Sequence, residues 1–328
     1  MYQRDLLPSF AGVFSFIRAP LDKIQELQPG VVAVAGVPHD STSSARQGVR
    51  DAPKAIREAS VDFIYDLQSS PTQALVNVDT GQTIKLPATG RLVDLGDLRI
   101  YPLEIARTCT SLQKTMCEIV QRGAFPVMLG GDHYITYPLL QGFKEGVSAR
   151  GGKKIGYIQL SSQLDLAEQD EIWGKDWHGA TVKRILDSRV VDPQNIAWIG
   201  LHGYIPADEW KLAHNLGATV ITSYTLRERG IVETVQQVES SVCQGCDSIY
   251  LSLDIGVVDG GQIPGRGDIT VGSLTPVELL GLVRALSRLN IGALDVVEVA
   301  PTWDPLARTQ RLAAEAIVEF IAPKVFFG

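Results

Sequence analysis

Nowhere in these 328 residues does an uncharged apolar run approach the roughly 18 residues of a membrane-spanning helix, so no such span is expected. The amino-terminal MYQRDLLPSF lacks both the apolar stretch and the small-residue cleavage site of a secretory signal, and a cytoplasmic location is the expectation. No run of Lys and Arg builds a basic face. Acidic residues outnumber basic ones by 37 to 30, the formal charge is −7, and a nucleic-acid partner is not expected. Cysteine is scarce as well: Cys109, Cys117, Cys243 and Cys246 are too few to staple a chain of this length. Cys243-x-x-Cys246 has the spacing of a redox or zinc motif. It lacks a second such pair nearby and falls where a helix runs into the strand DSIYLSLDI, so it reads as two ordinary buried or semi-buried thiols. Internal repeats and low-complexity segments are also missing.

What the chain does have is enough apolar material for a deep core, 45% of residues against 20% charged. Its length permits one large α/β domain or two ordinary ones. Seven β-branched, apolar runs recur between Gly, Pro or Asp: VVAVAGVP (31–38), FPVMLGG (125–131), KIGYIQL (154–160), IAWIGL (196–201), ATVIT (218–222), SIYLSLDI (248–255) and ALDVVEV (293–299). Uninterrupted runs of this kind suit strands buried on both faces of a parallel sheet. Helical segments lie between them. DAPKAIREASVDFIYDL places Asp51 as a cap with Pro53 in the first turn, and Pro102 to Arg122 reads as a long amphipathic helix. TPVELLGLVRALSRL offers Thr275, Pro276 and Glu278 in capping-box order. The polar, turn-rich stretch from Ser69 to Gly90 reads as an excursion, because the alternation of strand and helix resumes after it. The expected architecture is a single α/β domain over residues 1–328, three layers (α/β/α) around a mainly parallel central sheet.

In such sheets, ligands bind beyond the carboxyl ends of the strands. Four of these ends carry chemistry-bearing residues. After FPVML comes Gly130-Gly131-Asp132-His133, a tight turn presenting an imidazole that suits either a metal or a structural role. After GYIQL comes a polar loop that reaches Asp165, after YLSL comes Asp254, and DVVEV carries Glu298, with Pro301 shortly after. His178 stands at a helix start in WHGATVKRIL.

Taken together, the segments VPHDSTSSARQGVRDAPKAIREAS (37–60), LGGDHYITYPLL (129–140), IQLSSQLDL (158–166), SLDIGVVDGG (252–261) and DVVEVAP (295–301) resemble, in order and spacing, the signatures of the ureohydrolase superfamily of arginases and agmatinases. The resemblance runs from about Val31 to Ile321. It implies the arginase-like fold and a six-ligand centre holding two divalent cations around an activated water. Carried over position by position, His133, Asp165 and Asp254 are retained. Ser161 stands where the family has a bridging Asp, Gln163 where it has His, and Gly256 where it has Asp. Two dications about 3.5 Å apart repel by roughly 20 kcal/mol even at an effective dielectric near 20. Neutral Ser161 and Gln163, and a glycine, offer little against that. The dinuclear site is therefore not expected to form. His133, Asp165 and Asp254 would remain either as hydrogen-bonding remnants or as a weak mononuclear set.

The resemblance gives His178 a proton-transfer role and Glu298 the reception of a guanidinium group. The residues alone fit a locally satisfied helix-start histidine and a buried glutamate partnered by Arg or a cationic ligand. Three functions follow. The first is a catalytically deficient subunit, with no cofactor of its own, that assembles as a trimer or hexamer with an active homologue carrying nickel or manganese. Such an assembly would hydrolyse a guanidine or biguanide compound, as in the heteromeric metformin hydrolases that this chain resembles. The second is a mononuclear-metal hydrolase of a guanidine or amidine compound, and the third a guanidinium-binding protein without turnover.

Overall fold

The structure is a computed structural model and describes residues 7–44, 46–86 and 90–326. Ten strands are seen among the described residues: β1 Val32–Gly36, β2 Ala74–Val76, β3 Thr83–Lys85, β4 Leu92–Asp97, β5 Phe125–Leu129, β6 Ile155–Leu160, β7 Ile196–Leu201, β8 Thr219–Thr222, β9 Ser248–Asp254 and β10 Ile291–Val297. The helices are α1 Ala52–Ser69, α2 Ile105–Gln121, α3 Thr136–Ala149, α4 Thr181–Asp187, α5 Ala207–Asn215, α6 Ser223–Arg229, α7 Ile231–Val238, α8 Pro276–Leu286 and α9 Arg308–Val325. Eight strands form one sheet in the order β4-β1-β5-β10-β9-β6-β7-β8, and every neighbouring pair is parallel. Apolar side chains leave both faces of it. Val32 and Val34 of β1 point into a core shared with α1, α8 and α9, while Ala33 and Ala35 point into one shared with α2, α3 and α4. Helices on both sides of a parallel sheet give the three-layer α/β/α arrangement.

Each of the seven apolar runs coincides with a strand, although β10 starts at Ile291, ahead of its run. The eighth strand of the sheet, β4, was hidden in RLVDLGDL by its acidic residues. Asp94 sits in it with no exposure, opposite Val34, because Arg57 from α1 reaches across and neutralises it. The stretch from 69 to 90 is more than an excursion: it holds the small antiparallel hairpin β2–β3, whose three-residue strands are too short to show a period. Asp51 does not cap α1. It closes a 3₁₀ turn at φ −86°, ψ −5°, outside the extended conformation that a capping side chain requires, although Pro53 does lie in the first turn. Thr275 and Glu278 do form the capping box of α8, with Thr275 Oγ1 accepting from Glu278 N at 3.2 Å and Glu278 accepting from Thr275 N at 2.6 Å.

Near the end of the π-helical turn Glu239–Cys243, the Cys246 thiol donates to the Val242 carbonyl at 3.2 Å. Burial pushes the Cys243 thiol up to about 12 and the Cys246 thiol above its ordinary value, so neither is poised as a thiolate.

The sheet order has one functional consequence. It sets β5, β10, β9 and β6 side by side at its centre, and their carboxyl ends are the four positions that carry polar residues in the sequence.

Candidate functional site

At the end of β5 the chain passes so close to the loop before α1 that a Cβ on Gly131 would run into the His39 carbonyl, which accounts for glycine there. Asp132 follows, fully buried. Its carboxylate accepts from Thr42 N at 3.0 Å and from Tyr134 N at 3.1 Å, capping the short 3₁₀ turn that begins at His133. The His133 ring is buried, with Nδ1 3.1 Å from Asp165 Oδ2 and Nε2 3.1 Å from Ser252 Oγ. Ser252 in turn donates to Asp295 at 2.6 Å, which leaves its oxygen free to accept from the imidazole. Asp295, also without exposure, takes further hydroxyls from Thr136 and Tyr250, each at 2.7 Å. Burial works against charge on His133, but the Asp165 hydrogen bond and the surrounding carboxylates win and keep the ring protonated up to about 9.

Asp165 lies in the loop after β6 in the left-handed region, at φ +53°, an unusual conformation for a residue with a side chain. Its second partner is Gln159 Nε2 at 2.8 Å. Asp254, at the end of β9, accepts from Ser161 Oγ at 2.8 Å and from Gly256 N at 2.7 Å. Gln163 lines the cavity; its carbonyl accepts from Gln159 and its N–H donates to Ser161 Oγ at 3.1 Å.

Glu298 follows β10, also left-handed at φ +66°. One carboxylate oxygen accepts from His133 N at 2.8 Å and from the His178 ring Nδ1 at 2.9 Å. His178 is thus the partner of the buried glutamate. The other His178 nitrogen faces the Ser44 hydroxyl at 2.8 Å and, less closely, the Ser44 N–H at 3.2 Å. Burial opposes protonation of this ring too, yet Glu298 and Asp132 outweigh it and hold the imidazolium up to about 10. Burial likewise opposes charge on Glu298, but His178 keeps its carboxyl below the ordinary value.

His133, Asp165, Gln163, Asp254, His178 and Glu298 line a cavity of about 310 Å³. Two residues that the sequence reading passed over line it as well. Glu209, half-buried at the start of α5, accepts from Leu166 N at 3.2 Å, and burial raises its carboxyl to about 7. Arg266, only 3% exposed, donates from Nη1 to the carbonyls of Gly256 at 2.5 Å and Val258 at 2.8 Å. Its one signal in the sequence is a lone arginine between Gly265 and Gly267, downstream of Asp254. The structure gathers His133, Asp165, Asp254, His178 and Glu298 around one cavity, with Gln163 among them and Ser161 and Gly256 hydrogen-bonded to Asp254. It does not converge His133, Asp165 and Asp254 on a shared point. Among the described residues, no three His, Cys, Asp or Glu side chains stand close enough to hold a metal ion.

A parallel eight-stranded sheet with its polar residues at four adjacent central strand ends is the ureohydrolase arrangement. The chain belongs to the arginase family, whose model matches residues 31–322. It is 31% identical to the mitochondrial guanidino acid hydrolase of Homo sapiens over 319 residues, covering 96% of this chain and 84% of that protein. It is 30% identical to the mitochondrial agmatinase of Gallus gallus over 314 residues, covering 94% and 85%. The solved structure of proclavaminate amidino hydrolase from Streptomyces clavuligerus superposes with a TM-score of 0.78 at 27% identity, covering 96% of this chain and 98% of that one.

The residues present do not fit the pair of divalent cations that the family resemblance implies. Three of the six positions hold Ser161, Gln163 and Gly256. The other three are committed to internal partners: His133 and Asp165 to one another, and Asp254 to a hydroxyl and an amide. No metal-dependent step is derived for this chain.

Proposed function

We propose that this chain is a catalytically deficient ureohydrolase subunit. It assembles with an active homologue, as a trimer or hexamer, in the hydrolysis of a guanidine or biguanide compound, and nickel or manganese belongs to the homologue. One observation carries the reading: the retained ligand residues are engaged by the chain's own groups, His133 on Asp165 and Asp254 on Ser161. Glu298, the group that the resemblance assigns to a substrate guanidinium, is likewise taken by His178. Everything else about the fold is kept, including the capped α8 and a core on each face of the sheet. A large, well-packed scaffold without its chemistry is best used as a surface for assembly.

The relatives named guanidino acid hydrolase and agmatinase indicate by their names the kind of chemistry that such an assembly would perform. The test is co-expression with an intact homologue, followed by native mass spectrometry and a urea-release assay. A defined hetero-oligomer is expected, whose turnover vanishes when the homologue's ligands are mutated and survives Asp165→Asn and Asp254→Asn here. If those two substitutions abolish turnover while the assembly persists, this chain is itself catalytic, and the mononuclear reading replaces this one.

A further inference from the structure

The feature of the cavity that the lost ligands do not explain is a positive charge of the protein's own. An ideal Cβ built on Gly256 would lie 2.5 Å from Arg266 Nη2, and 2.7 and 2.9 Å from the two carboxylate oxygens of Asp254. The guanidinium therefore stands against the same spot as the Asp254 carboxylate, where any side chain at 256 would have to begin. We infer that Arg266 is a built-in cation that takes the place of divalent metal charge beside Asp254, and that it excludes metal independently of the three missing ligands. The inference rests on the metal-free reading above.

Three observations support a fixed role. First, the arginine is held from inside, Nη1 by two backbone carbonyls of the segment that follows β9. Second, its loop is held from outside: Arg46 Nη2 donates to the Arg266 carbonyl at 3.0 Å and Arg46 Nε to the Gly267 carbonyl at 3.2 Å, while the Arg46 guanidinium lies 4.6 Å from the centre of the Trp303 ring. Third, Gly265 is tied on both sides, accepting from Ala300 N at 2.7 Å and donating to Thr309 Oγ1 at 2.9 Å. A side chain anchored this way cannot swing out to admit a ligand at 256 without breaking several bonds. The charge itself is permanent, since a guanidinium does not deprotonate at any pH at which the protein folds. A dication at the same carboxylate would meet that charge at close range in a buried site, where screening is weak. Gly256 is not in the left-handed region, so backbone strain is no obstacle to a side chain there; Arg266 Nη2 is the nearest obstacle, with the Asp254 carboxylate just behind it.

Manganese is the probe for the test, on the full-length chain. The variant Ser161→Asp/Gln163→His/Gly256→Asp restores the three lost ligand types with Arg266 in place, and a second chain adds Arg266→Ser. After loading and dialysis, elemental analysis and the shift in Tm between Mn²⁺ and EDTA are read. The three-substitution chain is expected to keep well under one Mn²⁺ and show no shift, and the four-substitution chain to bind Mn²⁺ and gain Tm. Two equivalents on the three-substitution chain would overturn the inference, as would a folded four-substitution chain that stays metal-free. Two equivalents on the unaltered chain would overturn the metal-free reading itself, a distinguishable result. Should the restored chains fail to fold, a thermodynamic cycle on the natural chain decides: Asp254→Asn is expected to lower Tm less in an Arg266→Met background than alone, and strict additivity would contradict the pairing.

Discussion

The molecule buries two clusters of charge, and they are built differently. At the sheet edge, Arg57 of α1 meets Asp94 of β4 through Nε and Nη2 at 2.8 and 2.9 Å and reaches Asp97 at 2.6 Å. The remaining Asp94 lone pairs accept from Phe16 N and Gly96 N, so the carboxylate is saturated by one cation and two amides with no space beside it. At the centre, the ends of β5, β6, β9 and β10 hold the imidazoles of His133 and His178 and the guanidinium of Arg266 against Asp165, Asp254 and Glu298, around an open cavity. The edge cluster ties a helix to a strand. The central cluster includes two residues, Asp165 and Glu298, held in left-handed backbone, a cost that the edge cluster does not carry. Strain around a cavity points to a site whose geometry once served, or still serves, something other than stability.

That contrast predicts where a substitution hurts folding most. Arg57→Met should cost about 3–5 kcal/mol, because it strands a fully buried carboxylate, and urea denaturation measures it. A loss well under 1 kcal/mol would mean that water or another donor replaces the guanidinium at Asp94.

In the central cluster the effect is smaller and depends on pH. The His178 pKa is raised from 6.5 to about 10 in the folded state. The stability that its protonation supplies is thus fully present below about pH 6.5 and is lost as pH rises through 10. The stability gap between the natural chain and His178→Gln should accordingly be widest at pH 6 and close progressively by pH 10. A gap that is flat across this range would show that the ring is neutral, with Nε2 accepting from the Ser44 amide.

At the mildest end, Thr275→Ala removes one side of the α8 capping box and should cost about 1 kcal/mol without altering the central cluster, as read by an unchanged His178 pH profile.

The same contrast explains what was legible in the sequence. Strands that are apolar on both faces announce themselves, and all seven were found. β4 was not, because its Asp94 is compatible with the interior only through Arg57, which lies 37 residues away in the chain. The hairpin β2–β3 was invisible for want of length. At the site, a strand's carboxyl end is a position that sequence can locate, so His133, Asp254 and Glu298 could be placed, with His178 beside them. How they satisfy one another could not be read, because the His133–Asp165 and His178–Glu298 pairs join segments that meet only once the sheet has formed. Arg266 was the least legible. Its side chain matters through a loop that folds back over Gly256, and nothing local in GRG marks that return.

The central cluster either satisfies its charges internally or leaves them for a metal. The direct measurement is metal content of the purified full-length chain after loading with excess Mn²⁺ or Ni²⁺ and dialysis, in parallel with Asp254→Ala. Well under one equivalent is expected on either chain, with no difference between them. Close to two equivalents on the natural chain, lost in Asp254→Ala, would contradict this.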